Sequence, residues 1–245
     1  MSKGPALILG ARSDIAMAVA HRFAKAGYDI QLAARNSESL NIDKCDIELR
    51  YEIAVTLHNF DALDIGSHKS FVDKLPQLPT VALCAVGLMG EQTESQKNIL
   101  AAAQLIRSNF EGPASILAAL ANRFEKRGSG TLVGISSVAG ERGRATNYIY
   151  GSAKAGMTAF LSGLRNRLAK NGVHVVTVLP GFVATKMTDG MDLPIRLTAE
   201  PEEVAKAVFK AVKKSKNTIY VKPIWWLIMI IIKSIPERIF KKFNI

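Results

Sequence analysis

Short runs in which nearly every position is apolar alternate along the chain with stretches in which apolar residues return every three or four positions. The runs "PALILG", "YDIQLAAR", "EIAVTLHNFD", "TVALCAVG", "GTLVGISS" and "GVHVVTVLPG" are short, rich in Val, Ile and Leu, and bounded by Gly, Pro or Asp, the pattern of strands buried on both faces. Between the first two, "SDIAMAVAHRFAKAG" sets Ile15, Val19 and Phe23 on one helical face and closes at Gly27. A longer helical pattern, "KNILAAAQLIRSNFEGPASILAALANRFEKRG", joins the fourth strand to the fifth. This alternation predicts an α/β fold: a doubly wound parallel sheet with helices on both faces and a ligand site at the carboxyl ends of the strands. Nothing breaks the composition before Pro223, so residues 1–222 read as one domain and 223–245 as an apolar, helical tail.

Composition changes this picture little. With 48% hydrophobic and 22% charged residues among 245, the chain can fill one large core. Cys45 and Cys84 are too few for a disulfide framework, and Cys84 sits inside an apolar run, which suits a reducing, cytoplasmic compartment. The opening "MSKGPALILGARSD" has too short an apolar run for a signal core of ~7–15 residues, so no leader is expected. His21, His58, His68 and His174 lack metal-ligand spacing and are expected to be surface or packing residues.

The formal charge of +11 matters more through its position than its size. From Lys206 onward ten basic residues face Glu237 alone, a net +9 that holds most of the excess. The same segment contains "PIWWLIMIIIK", whose apolar run from Ile224 to Ile232 is far short of the ~20 residues that span a bilayer. It reads as a core helix, an oligomer interface or an interfacial membrane helix. Trp225 and Trp226 at one end, with Lys233, Arg238, Lys241 and Lys242 after it, favour the last, a peripheral contact with an anionic membrane surface. There is no nucleic-acid motif and no internal repeat, so no nucleic-acid partner is expected.

Candidate chemistry begins at the first turn, "LGARSDIA", placed where a Rossmann-type fold holds a pyrophosphate against a helix N-terminus. Gly10 supplies the turn; Asp14 and Ala16 stand where two further glycines are usual, and Ser13 or Asp14 could equally serve only to cap the helix. At the end of the second strand, where selection of NAD requires an acid, the chain has Ala34 and Arg35. A guanidinium there suits a 2'-phosphate, with Arg12 as a second contact, so NADP(H) is expected over NAD(H); an ordinary surface arginine is the alternative.

The richest stretch is "GISSVAGERGRATNYIYGSAKAG". Tyr150 and Lys154, four apart on a helix, share a face, so the ammonium is expected to lower the phenol's pKa from ~10 and make Tyr150 a general acid and base. Ser137, just past a strand, can bond the reacting carbonyl oxygen. Arg142 and Arg144 follow it and are either contacts for a phosphate-bearing substrate or solvated loop residues.

From the first strand to Val221 the chain resembles the short-chain dehydrogenases/reductases. The resemblance implies that Ser137, Tyr150 and Lys154 are catalytic, with Lys154 also holding the nicotinamide ribose. It implies that Asn109 of "RSNFEGP" supports a proton-relay water, although a helical Asn can also bond backbone carbonyls only. Asp61 of "NFDALD" would lie beside the adenine, and "PGFVAT" (Pro180, Gly181, Val183, Thr185) would close over the nicotinamide. Ile15, Ala62, Val86 and Gly87 complete the implied cofactor contacts, although "CAVG" departs from the Asn-containing turn usual there. A narrower similarity, through "GARSDIA", "AVGLMGE" and "IPERIFKKF", is to the reductase subunit of decaprenyl-phosphoryl-ribose 2'-epimerase. It implies a small-molecule or lipid-linked keto substrate, specifically a 2-keto pentose on a polyprenyl phosphate used in cell-wall glycan synthesis. An oxidase partner is then in view, and a homo-oligomer is expected.

Overall fold

The computed structural model describes residues 3–243. The six apolar runs become β1 (Ala6–Leu9), β2 (Ile30–Ala34), β3 (Val55–Asn59), β4 (Val81–Cys84), β5 (Gly130–Ile135) and β6 (Val173–Pro180). A two-residue pair, β7 (Phe182–Val183) and β8 (Thr198–Ala199), and an edge strand, β9 (Thr218–Val221), add to them. The main sheet is parallel throughout, in the order β3-β2-β1-β4-β5-β6-β9. The chain builds outward from β1 to β3, then crosses to start again at β4 beside β1. That reversal opens a crevice above the carboxyl ends of β1 and β4.

The helices are α1 (Asp14–Ala24), α2 (Asn41–Tyr51), α3 (His68–Asp73), α4 (Gln92–Ser95), α5 (Ile99–Ile106), α6 (Gly112–Arg127), α7 (Tyr148–Leu168), α8 (Pro201–Lys213), α9 (Ile224–Ser234) and α10 (Glu237–Phe240). Successive strand residues point to opposite faces, so continuous apolar runs feed two cores. Ala6, Ile8, Leu83, Val133, Val176 and Val178 pack with α1 and α8; Leu7, Leu9, Ala82, Leu132 and Val175 pack with α6 and α7. The buried stripe of α1 is Ala16, Val19, Ala20, Phe23 and Ala24, while Ile15 is only partly buried, a shift from the face expected. Small residues on that stripe let α1 lie close to the sheet.

The long helical pattern after β4 is not continuous. Arg107–Glu111 form a π-helical turn between α5 and α6, which buries Ser108 and Asn109. Such a bulge commonly marks a functional site.

The tail folds back onto the sheet. Trp225 and Met229, one turn apart on α9, pack with Val138 and Leu179 in a third, smaller core. Arg142 holds its end: the guanidinium donates to the carbonyls of Ile232, Lys233 and Ile235 at 2.8, 3.1 and 2.7 Å, pairs with Glu237 at 2.9 Å and lies 3.8 Å from the Phe240 ring centre. Asn244 and Ile245, the last residues of the tail, lie outside the described residues. Among the described residues no helix is long and apolar enough to cross a membrane.

Candidate active site

The crevice is a cleft of about 620 Å³, and every residue proposed for cofactor or catalysis lines it. At its nucleotide end, Gly10 turns the chain with φ +82°, a conformation unfavourable for other residues. A Cβ there would also stand 3.0 Å from the Val86 backbone nitrogen across the crevice. Ser13 caps α1, its hydroxyl accepting from Ala16 N at 3.1 Å. Asp14 does not cap. Its carboxylate reaches across the cleft, accepting from Lys186 N at 2.8 Å, with the Lys186 ammonium at 3.8 Å. The acid at the second glycine place therefore clasps the segment after β7, and Lys186 offsets its charge.

Arg12 and Arg35 stand exposed at the mouth, and neither has an ion-pair partner among the described residues. Asp61 bends its own loop, accepting from Leu63 N at 2.9 Å. His68, expected to be a surface or packing residue, is buried and braces that loop: one ring nitrogen lies 3.3 Å from the Asp61 carbonyl and the other 3.0 Å from Ser115 Oγ. Ala62, Val86 and Gly87 continue the wall, and the end of β6 with β7 forms the opposite side through Pro180, Gly181, Val183 and Thr185. The narrow floor, the helix N-terminus and the two guanidinium groups without ion-pair partners among the described residues fit the phosphates of a dinucleotide.

At the reactive end, Ser137 follows β5, and its hydroxyl accepts from Ala139 N at 3.1 Å and lies 3.4 Å from the Pro180 carbonyl. Tyr150 and Lys154 share one face of α7, the Lys154 ammonium 5.6 Å from the phenol ring centre. Lys154 is 3% exposed, and its ammonium donates to the Ile135 carbonyl at 3.2 Å. Ser136 steadies this turn of α7, donating to the Lys154 carbonyl at 2.9 Å. The expected lowering of the phenol's pKa does not occur. Burial pushes Tyr150 up to about 12, against a smaller opposing effect of the Ser137 hydroxyl. Burial also pulls Lys154 down to about 8. Desolvation disfavours each charged form and is the largest effect on both groups.

Asn109 is buried by the π-turn and bonds backbone. Its amide nitrogen donates to the carbonyls of Leu88 and Leu105 at 2.6 and 2.9 Å, and its oxygen accepts from Leu88 N at 3.3 Å. It ties the Gly87–Leu88 turn to the helix, and only its oxygen keeps capacity for a water.

Two wall residues, Trp225 and Asn147, were not assigned to the site from sequence, and a third, Arg144, was expected either there or on a solvated loop. Trp225 was expected at a membrane boundary, yet its indole is 5% exposed, lines the cleft and donates to the Leu197 carbonyl at 3.0 Å. Arg144 and Asn147 line the substrate side, whereas Arg142 is spent on the tail. In sequence the two arginines are alike; only their opposite directions from one loop separate them.

A family model described as short chain dehydrogenase matches residues 5–194. An uncharacterized oxidoreductase of Mycobacterium tuberculosis is 37% identical over 220 residues, covering 89% of this chain and 88% of its own. An acetoacetyl-CoA reductase of Allochromatium vinosum is 26% identical over 218 residues, 83% of this chain and 88% of its own. Among solved structures, a short-chain dehydrogenase from Sphingobium yanoikuyae in complex with NADPH aligns over 96% of this chain and 97% of its own, with TM-score 0.79 and 23% identity. With the parallel sheet, the crevice and these matches in hand, the chain belongs to the short-chain dehydrogenase family of NAD(P)-dependent oxidoreductases.

Proposed function

We propose that the protein is an NADPH-preferring reductase of a ketone carried on lipid, best represented by a 2-keto sugar on a polyprenyl phosphate, and that it works at a membrane surface. The observation that carries this reading is α9. Trp225 on its inner side walls the cleft, while Trp226 (54% exposed) and Ile231 (55% exposed) on the same helix face outward with Leu227 and Ile230. Arg238, Lys241 and Lys242 follow within about two turns. An apolar face with basic flanks suits the boundary of an anionic bilayer. Such docking sets the cleft beside a lipid whose tail stays in the membrane.

NADPH, when bound, supplies the hydride. The chain's residues do the rest. Arg35 and Arg12 favour the 2'-phosphate by charge, with no acid at the end of β2 to select NAD. Ser137 donates to the carbonyl oxygen and polarises it. Tyr150, protonated throughout the neutral range, gives its proton to that oxygen as negative charge develops there. Lys154 keeps a positive charge beside the phenol and suits a ribose hydroxyl. Oligomerisation would cover Ile99 and Leu100 of α5, which are 84% and 80% exposed.

The test supplies NADPH and the keto product of a polyprenyl-phosphoryl-pentose oxidase, then looks for the reduced, epimerised sugar. Tyr150→Phe must abolish it with NADPH affinity unchanged; retained turnover would overturn the reductase assignment. Trp226→Glu with Ile231→Glu, which leaves the buried face of α9 intact, must abolish flotation with anionic liposomes. A second reading, reduction of another lipid or hydrophobic ketone, has the similarity to the acetoacetyl-CoA reductase in its favour. A non-catalytic nucleotide-sensing scaffold would bind NADPH and turn over no ketone.

A further inference from the structure

The loop between Ser137 and α7 carries three charged side chains in the order Glu141, Arg142, Arg144, and the fold uses two of them. Glu141 takes the Tyr220 hydroxyl at 2.9 Å and the Lys233 ammonium at 2.6 Å, and Arg142 clamps the end of α9. Arg144 turns the other way, into the cleft. Its Nε is fully buried yet has no hydrogen-bond partner, and no carboxylate pairs with its guanidinium among the described residues. Burial lowers its pKa with nothing to compensate. One turn before Tyr150, Asn147 also lines the cleft with a buried Oδ1 that has no partner among the described residues, and this side chain does not cap α7 although it stands at the cap position.

Buried polar groups in native proteins nearly always have partners, so a guanidinium and an amide oxygen left open beside the proton donor point to a ligand. The guanidinium presents a planar set of donors that matches a phosphate, and the amide oxygen accepts from a hydroxyl. Both belong to the substrate rather than the dinucleotide, since they lie on the α7 side, away from Gly10, Arg12 and Arg35 at the nucleotide end. We propose that Arg144 is the anion-binding residue of the substrate subsite and Asn147 its hydroxyl acceptor, so the ketone carries a phosphate ester and a free hydroxyl. This rests on the reductase reading and adds to it the residues that hold the substrate's phosphate and hydroxyl. A lipid-linked phosphate and a soluble sugar phosphate offer the same chemistry at this position.

The test begins with NADPH titrations of the wild type, Arg144→Gln and Arg144→Lys, which should agree within about twofold; failure of all three to bind NADPH would overturn the reductase reading itself. NADPH-saturated protein is then titrated by calorimetry with ribose 5-phosphate, ribose and farnesyl phosphate. The wild type should prefer ribose 5-phosphate to ribose by tenfold or more. Arg144→Gln should erase that preference and Arg144→Lys restore part of it. Farnesyl phosphate binding more tightly than ribose 5-phosphate supports the site with a lipid-borne anion, and the reverse order supports it with a soluble one. Unchanged phosphate affinity in Arg144→Gln, or no preference for phosphate over ribose in the wild type, overturns the proposal while leaving the reductase reading intact.

Discussion

The indole of Trp225 lies against Gly181 so closely that any Cβ on that glycine would fall inside the ring. The segment closing the cleft and the first turn of α9 are therefore fitted to each other, with the Trp225 ring edge-on to Phe182 at 5.4 Å between centroids. Gly181→Ala should displace the indole and cost about 1–3 kcal/mol, the usual result of overpacking a filled site. Denaturant unfolding measures this directly. A wild-type midpoint in Gly181→Ala would mean that α9 is not held by this contact.

Two pKa values set the pH behaviour. Lys154, at about 8, is cationic at pH 7 and loses its proton as pH rises through 8, while Tyr150, at about 12, stays protonated across that range. Ketone reduction should accordingly fall above about pH 8, with the loss traced to Lys154 rather than to the phenol. A rate that stays flat to pH 10 would contradict this.

The same burial costs stability. An unfolded lysine titrates near 10.5, so the charge-burial penalty of Lys154 is fully present below pH 8 and fades between pH 8 and about 10.5. Lys154→Met should then stabilise the fold by about 1–3 kcal/mol at pH 7, with the gain shrinking towards pH 10. Tyr150 acts with the opposite sign at higher pH: between 10 and 12 the folded protein holds a proton that the unfolded chain has lost, and stability falls. Melting temperatures of wild type and variant from pH 7 to 11 separate the two.

Arg35→Asp places at the end of β2 the acid that bonds a ribose 2'-hydroxyl. It should weaken NADPH at least tenfold, about 1.4 kcal/mol, and improve NADH. Parallel fluorescence titrations with the two nucleotides read the switch, and an unchanged ratio would remove Arg35 from cofactor selection.

Asp14 has two opposed effects that substitution can part. Asp14→Asn keeps an acceptor for Lys186 N and removes a negative charge from the pyrophosphate end of α1, so NADPH should bind more tightly. Asp14→Ala also loses the clasp, and the Thr185–Thr188 turn should become more open to proteolysis. If both variants bind NADPH alike, the clasp plays no part in holding the cofactor.

The parallel sheet was legible because its central strands β1, β2 and β4 are buried on both sides and so are almost wholly apolar; helical spacing made the shared face of Tyr150 and Lys154 legible, while the catalytic role of Ser137, Tyr150 and Lys154 came with the family resemblance. The π-turn at Asn109 was hidden inside an uninterrupted helical pattern, because a single extra residue in a turn leaves apolar periodicity almost unchanged. The raised pKa of Tyr150 was hidden for a related reason: spacing places the ammonium near the phenol, but only the packed interior sets the desolvation that raises it.

Local pattern thus determined the order of elements and the shared helical face of Tyr150 and Lys154, since each depends on periodicities of two or 3.6 residues. Long-range packing decided the rest. Asp14 meets a residue 172 positions away, Arg142 and Arg144 part to opposite sides of one loop, and Trp225 enters the wall of the cleft while Trp226 faces outward. None of these outcomes has a local cause. Each follows from which surface the folded sheet brings opposite the side chain, and sequence spacing carries no information about that surface.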